Sequence, residues 1–322
     1  MVLSILNTKT KRVGIILAIT AAIAWGTYST FLVLMYGFGM SDMAIVALAP
    51  TVLAIWFLIK VLIRDPKDLK IDFKLFLLMT FEGAILLNLI NYAYVQVAVA
   101  GIPLGIISTL AFCNVLVLMI TTKIVFEYKF TLVKSLAAFI AVIGVSLVFE
   151  VYKLGAGSLN TVGMLWALFL PVALGTAYTM NKYFLVKGLN YEVILFYVNF
   201  TAAAVIWATM LPPWTLVKEI STLASTNGYL LWLVVLGFAA IPQIYSYSAM
   251  MLAYERIEPV YVGTIWSLDP VTATMLGLIL FGQKLSAMQI IGIIVILVAV
   301  GIVQYYEGKE GEINTSEEVQ SL

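Results

Sequence analysis

Ten apolar stretches dominate this chain, and each is long enough to cross a bilayer. They run at about 13–35, 43–63, 74–97, 103–124, 131–149, 160–181, 191–211, 229–253, 260–281 and 286–306. A transmembrane helix needs about 20 mainly apolar residues, so the count admits roughly ten spans. A soluble fold could not hide this much apolar surface: 63% of the 322 residues are hydrophobic and 11% are charged, against about 25% charged in ordinary soluble domains. The first stretch is too long for a signal-peptide core and has no small-residue cleavage site after it, so it reads as a retained helix. The expected class is an all-α integral membrane protein with ten transmembrane helices.

The connections suit that reading. Most are short and glycine-containing, such as Gly37-Phe38-Gly39-Met40-Ser41 and Gly155-Ala156-Gly157-Ser158. Two are longer: the charged segment Arg64 to Asp72, and Pro212 to Asn227, which reads as a short surface helix. The acidic, polar residues 308–322 are expected to be disordered. Orientation follows from the positive-inside rule. With the N-terminus in the cytoplasm, 15 of the 18 Lys and Arg fall in cytoplasmic segments, leaving Lys153, Lys218 and Lys284 outside. Both termini are therefore expected inside.

The two halves resemble each other. Tyr94–Thr131 and Met250–Ala287 align without gaps at an offset of 156, placing Pro103 on Pro259 and Glu127 on Gln283. Upstream, Gly26-Thr27 matches Gly175-Thr176, with Tyr28 and Tyr178 close by. Five spans per half is an odd number, so the copies must lie in opposite orientations. That is the inverted-repeat plan of many secondary transporters, with the substrate site between the repeats near the midplane. The expected units are residues 1–155 and 156–307.

These residues also carry a resemblance. Ala24-Trp25-Gly26, Asn91-Tyr92-Ala93-Tyr94, Gly101-Ile102-Pro103-Leu104-Gly105-Ile106-Ile107-Ser108, Phe126-Glu127-Tyr128-Lys129 and Ile143-Gly144-Val145 mark the first half. Ser267-Leu268-Asp269-Pro270, Phe281-Gly282-Gln283-Lys284 and Gly292 mark the second. In order and spacing the chain resembles the drug/metabolite transporter superfamily, and within it the EamA-type ten-helix transporters, over nearly its whole length. It departs from the family pattern at Asn114, where a proline is usual, and at Gln283, where an acid is. The resemblance implies transport across the cytoplasmic membrane, with export favoured, and a cavity surrounded by the third, eighth and ninth spans among others.

Several chemistries are absent from the sequence. It has no histidine and a single cysteine, Cys113, which removes Ser-His-Asp catalysis, histidine metal sites and intrachain disulfides. Nothing resembles a phosphate-binding P-loop, and a net charge of +1 gives no sign of nucleic-acid binding. No cofactor is expected.

Two acids lie deep inside spans. Glu82 is eight residues into the third span and Asp269 nine into the ninth, roughly 12–14 Å below the cytoplasmic end at about 1.5 Å per residue. A charge at that depth costs at least ~2.5 kcal/mol, so each must face the bundle interior, bind a cation or carry a proton. Trp266, Asp269 and Thr272 share a helical face, and Pro270 frees a carbonyl about one turn earlier. Gln243, Ser246, Tyr247, Met250 and Tyr254 line one face of the eighth span; Glu82, Asn88, Tyr92 and Gln96 line one face of the third. Trp25, Tyr28, Tyr92, Tyr178, Tyr247 and Trp266 add rings inside spans, and rings beside a carboxylate suit ammonium groups through cation–π attraction. Polar glue between helices is the alternative for any single stripe, and Glu127 with Lys129 reads as a helix cap.

The leading expectation is a secondary transporter for a small polar metabolite, of amino acid or amine class, with the bilayer and protons as its other partners. Uptake of an organic cation is the second transport reading. A lipid-handling scaffold or intramembrane enzyme is the alternative of a different class, although no nucleophile–base set is visible and an enzyme is not expected.

Overall fold

The computed structural model describes residues 8–90, 93, 114–126, 132–148, 161–209, 212–282 and 286–320. Among these, every regular element is helical. The first half supplies α1 (Thr8–Gly26), α2 (Tyr28–Gly37), α3 (Asp42–Arg64), α4 (Phe73–Thr80), α5 (Asn114–Phe126) and α6 (Leu132–Val148). The second supplies α7 (Thr161–Val186), α8 (Tyr191–Thr209), α9 (Pro213–Asn227), α10 (Tyr229–Phe238), α11 (Ser246–Tyr254), α12 (Pro259–Ile265), α13 (Leu268–Phe281) and α14 (Ala287–Gln320).

Local chemistry sets many of the boundaries. Ser41 caps α3, its hydroxyl accepting from the Ala44 amide, and Arg64 closes it, favoured by the carbonyl end of the helix. Asp65 then caps a single 3-10 turn, Pro66–Leu69, and Asp72 caps α4 by accepting from the Lys74 and Leu75 amides. Gly188, at φ +84°, turns the chain after α7 while its amide donates to the Leu185 carbonyl, a use that a residue with a Cβ would resist.

Among the described residues, four helices are long and apolar enough to cross a membrane: Met43–Arg64, Phe73–Ile90, Tyr191–Thr209 and Tyr229–Tyr254. Large apolar side chains such as Ile16, Ile55, Phe139, Leu168, Leu233 and Ile279 are exposed on the outer faces of the bundle. Water would not tolerate that surface, whereas lipid would.

The most extensive helix contacts pair α6 with α14, α3 with α8, α5 with α7, and α1 with α11 and α13. Loops meet in two groups. Arg64 pairs with Glu192 at 3.2 Å, Asn190 Nδ2 donates to Asp68 Oδ2 at 2.7 Å, and Tyr197 Oη donates to the Leu69 carbonyl at 2.9 Å. At the other end the Ser41 amide and hydroxyl donate to Glu219 at 2.6 and 2.9 Å, and Asn227 donates to the Phe38 carbonyl. Glu219 lies on α9, the surface helix read from the sequence.

Four spans differ from the sequence reading. The first span is two helices broken at Thr27, and the ninth is two helices broken at Trp266-Ser267. In addition, the third and eighth spans each contain a π-helical turn, Phe81–Leu87 and Ala239–Tyr245. The last helix, α14, runs on to Gln320. Extending an existing helix avoids the cost of nucleating a new one.

Candidate functional site

The two breaks meet. At Thr27 the amide and the hydroxyl both donate to the Ala24 carbonyl, the hydroxyl at 2.7 Å, so the α1 ladder is diverted by one side chain. At the second break the Ser267 hydroxyl donates to the Thr264 carbonyl at 2.6 Å. Gly26 is packed so closely on α13 that a Cβ there would lie 2.4 Å from Thr272 Cβ and 2.8 Å from the Asp269 carbonyl oxygen. Only glycine permits that approach.

Four rings expected from the sequence gather around the junction. Trp25 stacks on Tyr28 across the Thr27 break, with centroids 5.1 Å apart and planes 11° apart. Its other neighbours are Tyr247, edge-on at 5.2 Å, and Trp266 at 6.0 Å. Trp266 also lines a small cavity with Asn114, Tyr178, Tyr254 and Gly263; its volume of about 10 Å³ is room for roughly one water. Tyr178 and Tyr254 face each other across 6.4 Å.

Asp269 lies in the first turn of α13, three residues before Thr272 and so on the face applied to Gly26. It is half-buried, and among the described residues no hydrogen bond or ion pair holds its carboxylate. A carboxylate beside a helix N-terminus is electrostatically favoured, and the rings gathered at the junction offer negative faces to a cation.

The remaining candidates separate. Gln243 sits in the second π turn, 1% exposed, and its Nε2 has no partner among the described residues. Ser246 is fully buried and donates to the Ala21 carbonyl of α1 at 2.9 Å, a tie between helices. Asn88 donates to the Ala84 and Ala202 carbonyls, which fastens the third span to α8. The Thr272 hydroxyl donates to Leu268 of its own helix at 3.0 Å. Glu82, 2% exposed, accepts from Asn181 Nδ2 at 2.8 Å. Tyr92 and Gln96 lie outside the described residues, as do Glu127, Lys129 and Gln283.

Two buried groups were missed in the sequence. Asn181 is one turn beyond Tyr178 on the same face of α7, a spacing that could have flagged it. Lys182, also 2% exposed, donates its Nζ to the Tyr254 carbonyl and so closes the end of α11. Nearby, Lys134 pairs with Glu258 at 2.7 Å and lies 4.9 Å above the Tyr261 ring.

Residues 161–305 match the model of the EamA-like transporter family. The second half of the chain is thus similar to that family. Members are membrane transporters, and an EamA-like assignment agrees with apolar helices able to span a bilayer. No curated protein matches the sequence. Among solved structures 28 chains match. One crystal structure superposes with a TM-score of 0.71 over 91% of this chain and 97% of its own, at 15% identity. At that identity the likeness establishes the fold alone, and it covers both halves of the chain.

Proposed function

We propose that this chain is a secondary transporter for a small metabolite bearing an ammonium group, of the amino acid or amine class. It would work across the cytoplasmic membrane by alternating access of two inverted five-helix repeats, residues 1–155 and 156–307. The observation that carries this reading is the junction itself. One broken helix from each half contributes to it, four rings surround it, and Asp269 stands there without a partner among the described residues. Discontinuous helices at a repeat interface supply backbone and dipole groups for substrate, and the acid with its rings supplies the cation recognition.

Other observations support the ten-span, two-repeat plan. Exchanging the halves maps the α3–α8 and α6–α14 pairs onto themselves, and maps α5–α7 onto the packing of α12 and α13 against α1. The π turns fall within two residues of equivalence at the 156-residue offset. Every inter-loop contact described above joins segments assigned to the same side of the membrane, with both termini inside. Export is the direction implied by the family resemblance.

The test is a thermal-shift screen of the purified protein against amino acids, amines and nucleotides, followed by labelled flux of the best binder in proteoliposomes. A ligand that binds the native state raises apparent stability by mass action. The expected result is an ammonium-bearing binder that also crosses the membrane. A tightly bound lipid with no solute flux would contradict the proposal and favour a scaffold.

A further inference from the structure

Glu82 occupies a position unlike that of Asp269. It is held in the π turn Phe81–Leu87, where the hydrogen-bond register widens by one residue, a geometry that recurs at functional sites. Its neighbour Gly83 is pressed onto α8, where a Cβ would meet the Val198 carbonyl and the Thr201 hydroxyl. The backbone that carries the carboxyl is thus held against α8. Asn181 donates Nδ2 to Glu82 Oε1 at 2.8 Å and also to the Ala177 carbonyl at 3.1 Å. That uses up its donors. Two acceptors remain, Glu82 Oε2 and Asn181 Oδ1, both buried and without a partner among the described residues.

A buried acceptor left unmade is costly, and a buried carboxylate without a cation is more so. Among the described residues no lysine or arginine pairs with Glu82. Lys182, the next residue after Asn181, spends its Nζ on the Tyr254 carbonyl. From α7 the carboxyl is faced by Asn181 and, one turn away, Tyr178. Among the described residues, the phenols of Tyr247 and Tyr254 on the eighth span interact electrostatically with it. On α8 the groups packed against the adjacent Gly83 are Val198 and Thr201, which carry no charge. A single proton would answer both vacant acceptors: placed on Oε2, it turns that atom into a donor toward the amide oxygen. Two side-chain oxygens fall short of the roughly six that a hard metal cation takes.

We infer that Glu82 is a proton-binding site, with the proton on Oε2 and Asn181 as its positioning residue, and that its protonation is coupled to substrate movement. The coupling rests on the transporter reading above; the proton site does not. In the loaded form the acid is neutral and satisfied. When the pathway opens to the side of lower proton concentration, the O–H bond breaks and the proton passes to water. The electron pair remains on the carboxylate, which keeps the Asn181 amide bond. Asp269, beside the rings, is then left to the ammonium group of the substrate.

The test has two arms, both on the full chain. The first uses protons alone as the probe: infrared difference spectra of the protein in lipid nanodiscs between acid and alkaline buffer. A carboxylic-acid C=O band should vanish on alkalinisation in the wild type and in Asp269→Asn, and be missing in Glu82→Gln. It should shift in Asn181→Leu, which keeps Glu82 but removes both amide groups, so the assignment survives even if Glu82→Gln folds poorly. The same band in wild type and Glu82→Gln would overturn the site. The second arm uses proteoliposomes and a labelled amino acid and amine mixture. Glu82→Gln should keep counterflow at equal pH and lose acceleration by a pH gradient; retained acceleration would overturn the coupling. The expected infrared band with no solute flux in the wild type would support the proton site and overturn the transporter reading.

Discussion

Gly26→Ala tests the packing on which the candidate site depends. The added Cβ would lie 2.4 Å from Thr272 Cβ, 2.8 Å from the Asp269 carbonyl oxygen and 2.9 Å from Thr272 Cγ2. Two of those atoms, a Cβ and a carbonyl oxygen, cannot rotate away. Since carbon contacts are comfortable at about 3.5–4.0 Å, α1 and α13 must part by roughly 1 Å. Overpacking of this kind costs about 1–3 kcal/mol, and each 1.4 kcal/mol is about tenfold in an equilibrium constant. Thermal unfolding in nanodiscs should show a fall of several degrees, and counterflow should drop because the wedge enters where Trp25 stacks on Tyr28. Gly37→Ala is the control: nothing lies within 4 Å of its Cβ, and the change should stay within about 0.5 kcal/mol. Adding Thr272→Gly to Gly26→Ala should restore part of the loss, the Asp269 carbonyl still being close. Wild-type stability and flux in Gly26→Ala would refute the junction as described.

Other consequences follow from particular contacts. Lys182→Met keeps the aliphatic stem but leaves the Tyr254 carbonyl without its buried donor, so unfolding stability should fall by about 1.5–3 kcal/mol; an unchanged melting curve would remove Lys182 from the end of α11. A double-mutant cycle of Lys134→Met and Glu258→Gln should give a coupling of about 0.5–3 kcal/mol, since the pair is 2.7 Å apart with Lys134 buried; additive losses would show that the pair contributes nothing. Cysteines introduced at Ser41 and Thr222 should label from outside intact cells, and those at Lys67 and Lys187 only after permeabilisation. Labelling of positions 41 and 67 from the same side would contradict the topology.

The membrane class was legible because lipid demands long apolar runs and tolerates few charges, and the ten stretches meet both conditions. The aromatic cluster was legible for a similar reason: Trp25, Tyr28, Tyr247 and Trp266 stand inside spans, away from the interfaces where rings usually anchor. What the sequence concealed lies in departures from the regular helix. A wheel drawn at 3.6 residues per turn fails across Phe81–Leu87 and Ala239–Tyr245, where each turn takes an extra residue. Glu82 and Asn88 therefore share a stripe on paper, yet one meets Asn181 and the other a carbonyl of α8. The break at Thr27 has no proline to announce it; the threonine hydroxyl and the close approach of α13 produce it, and the latter is a tertiary contact. Lys182 escaped notice because it lies just past an apolar stretch and looked like an interfacial charge. Its burial depends on the end of another helix more than 70 residues away in sequence.

The most direct test of the account is substrate counterflow at equal pH in Asp269→Asn, compared with wild type in the same proteoliposomes. The substitution nearly preserves volume and leaves α13, Gly26 and the rings in place, but it removes the charge that would face the ammonium group. With the binder found by thermal shift as the labelled solute, the account predicts near-normal expression and melting temperature together with loss of both flux and ligand-induced stabilisation. Wild-type counterflow and an undiminished thermal shift in Asp269→Asn would contradict it.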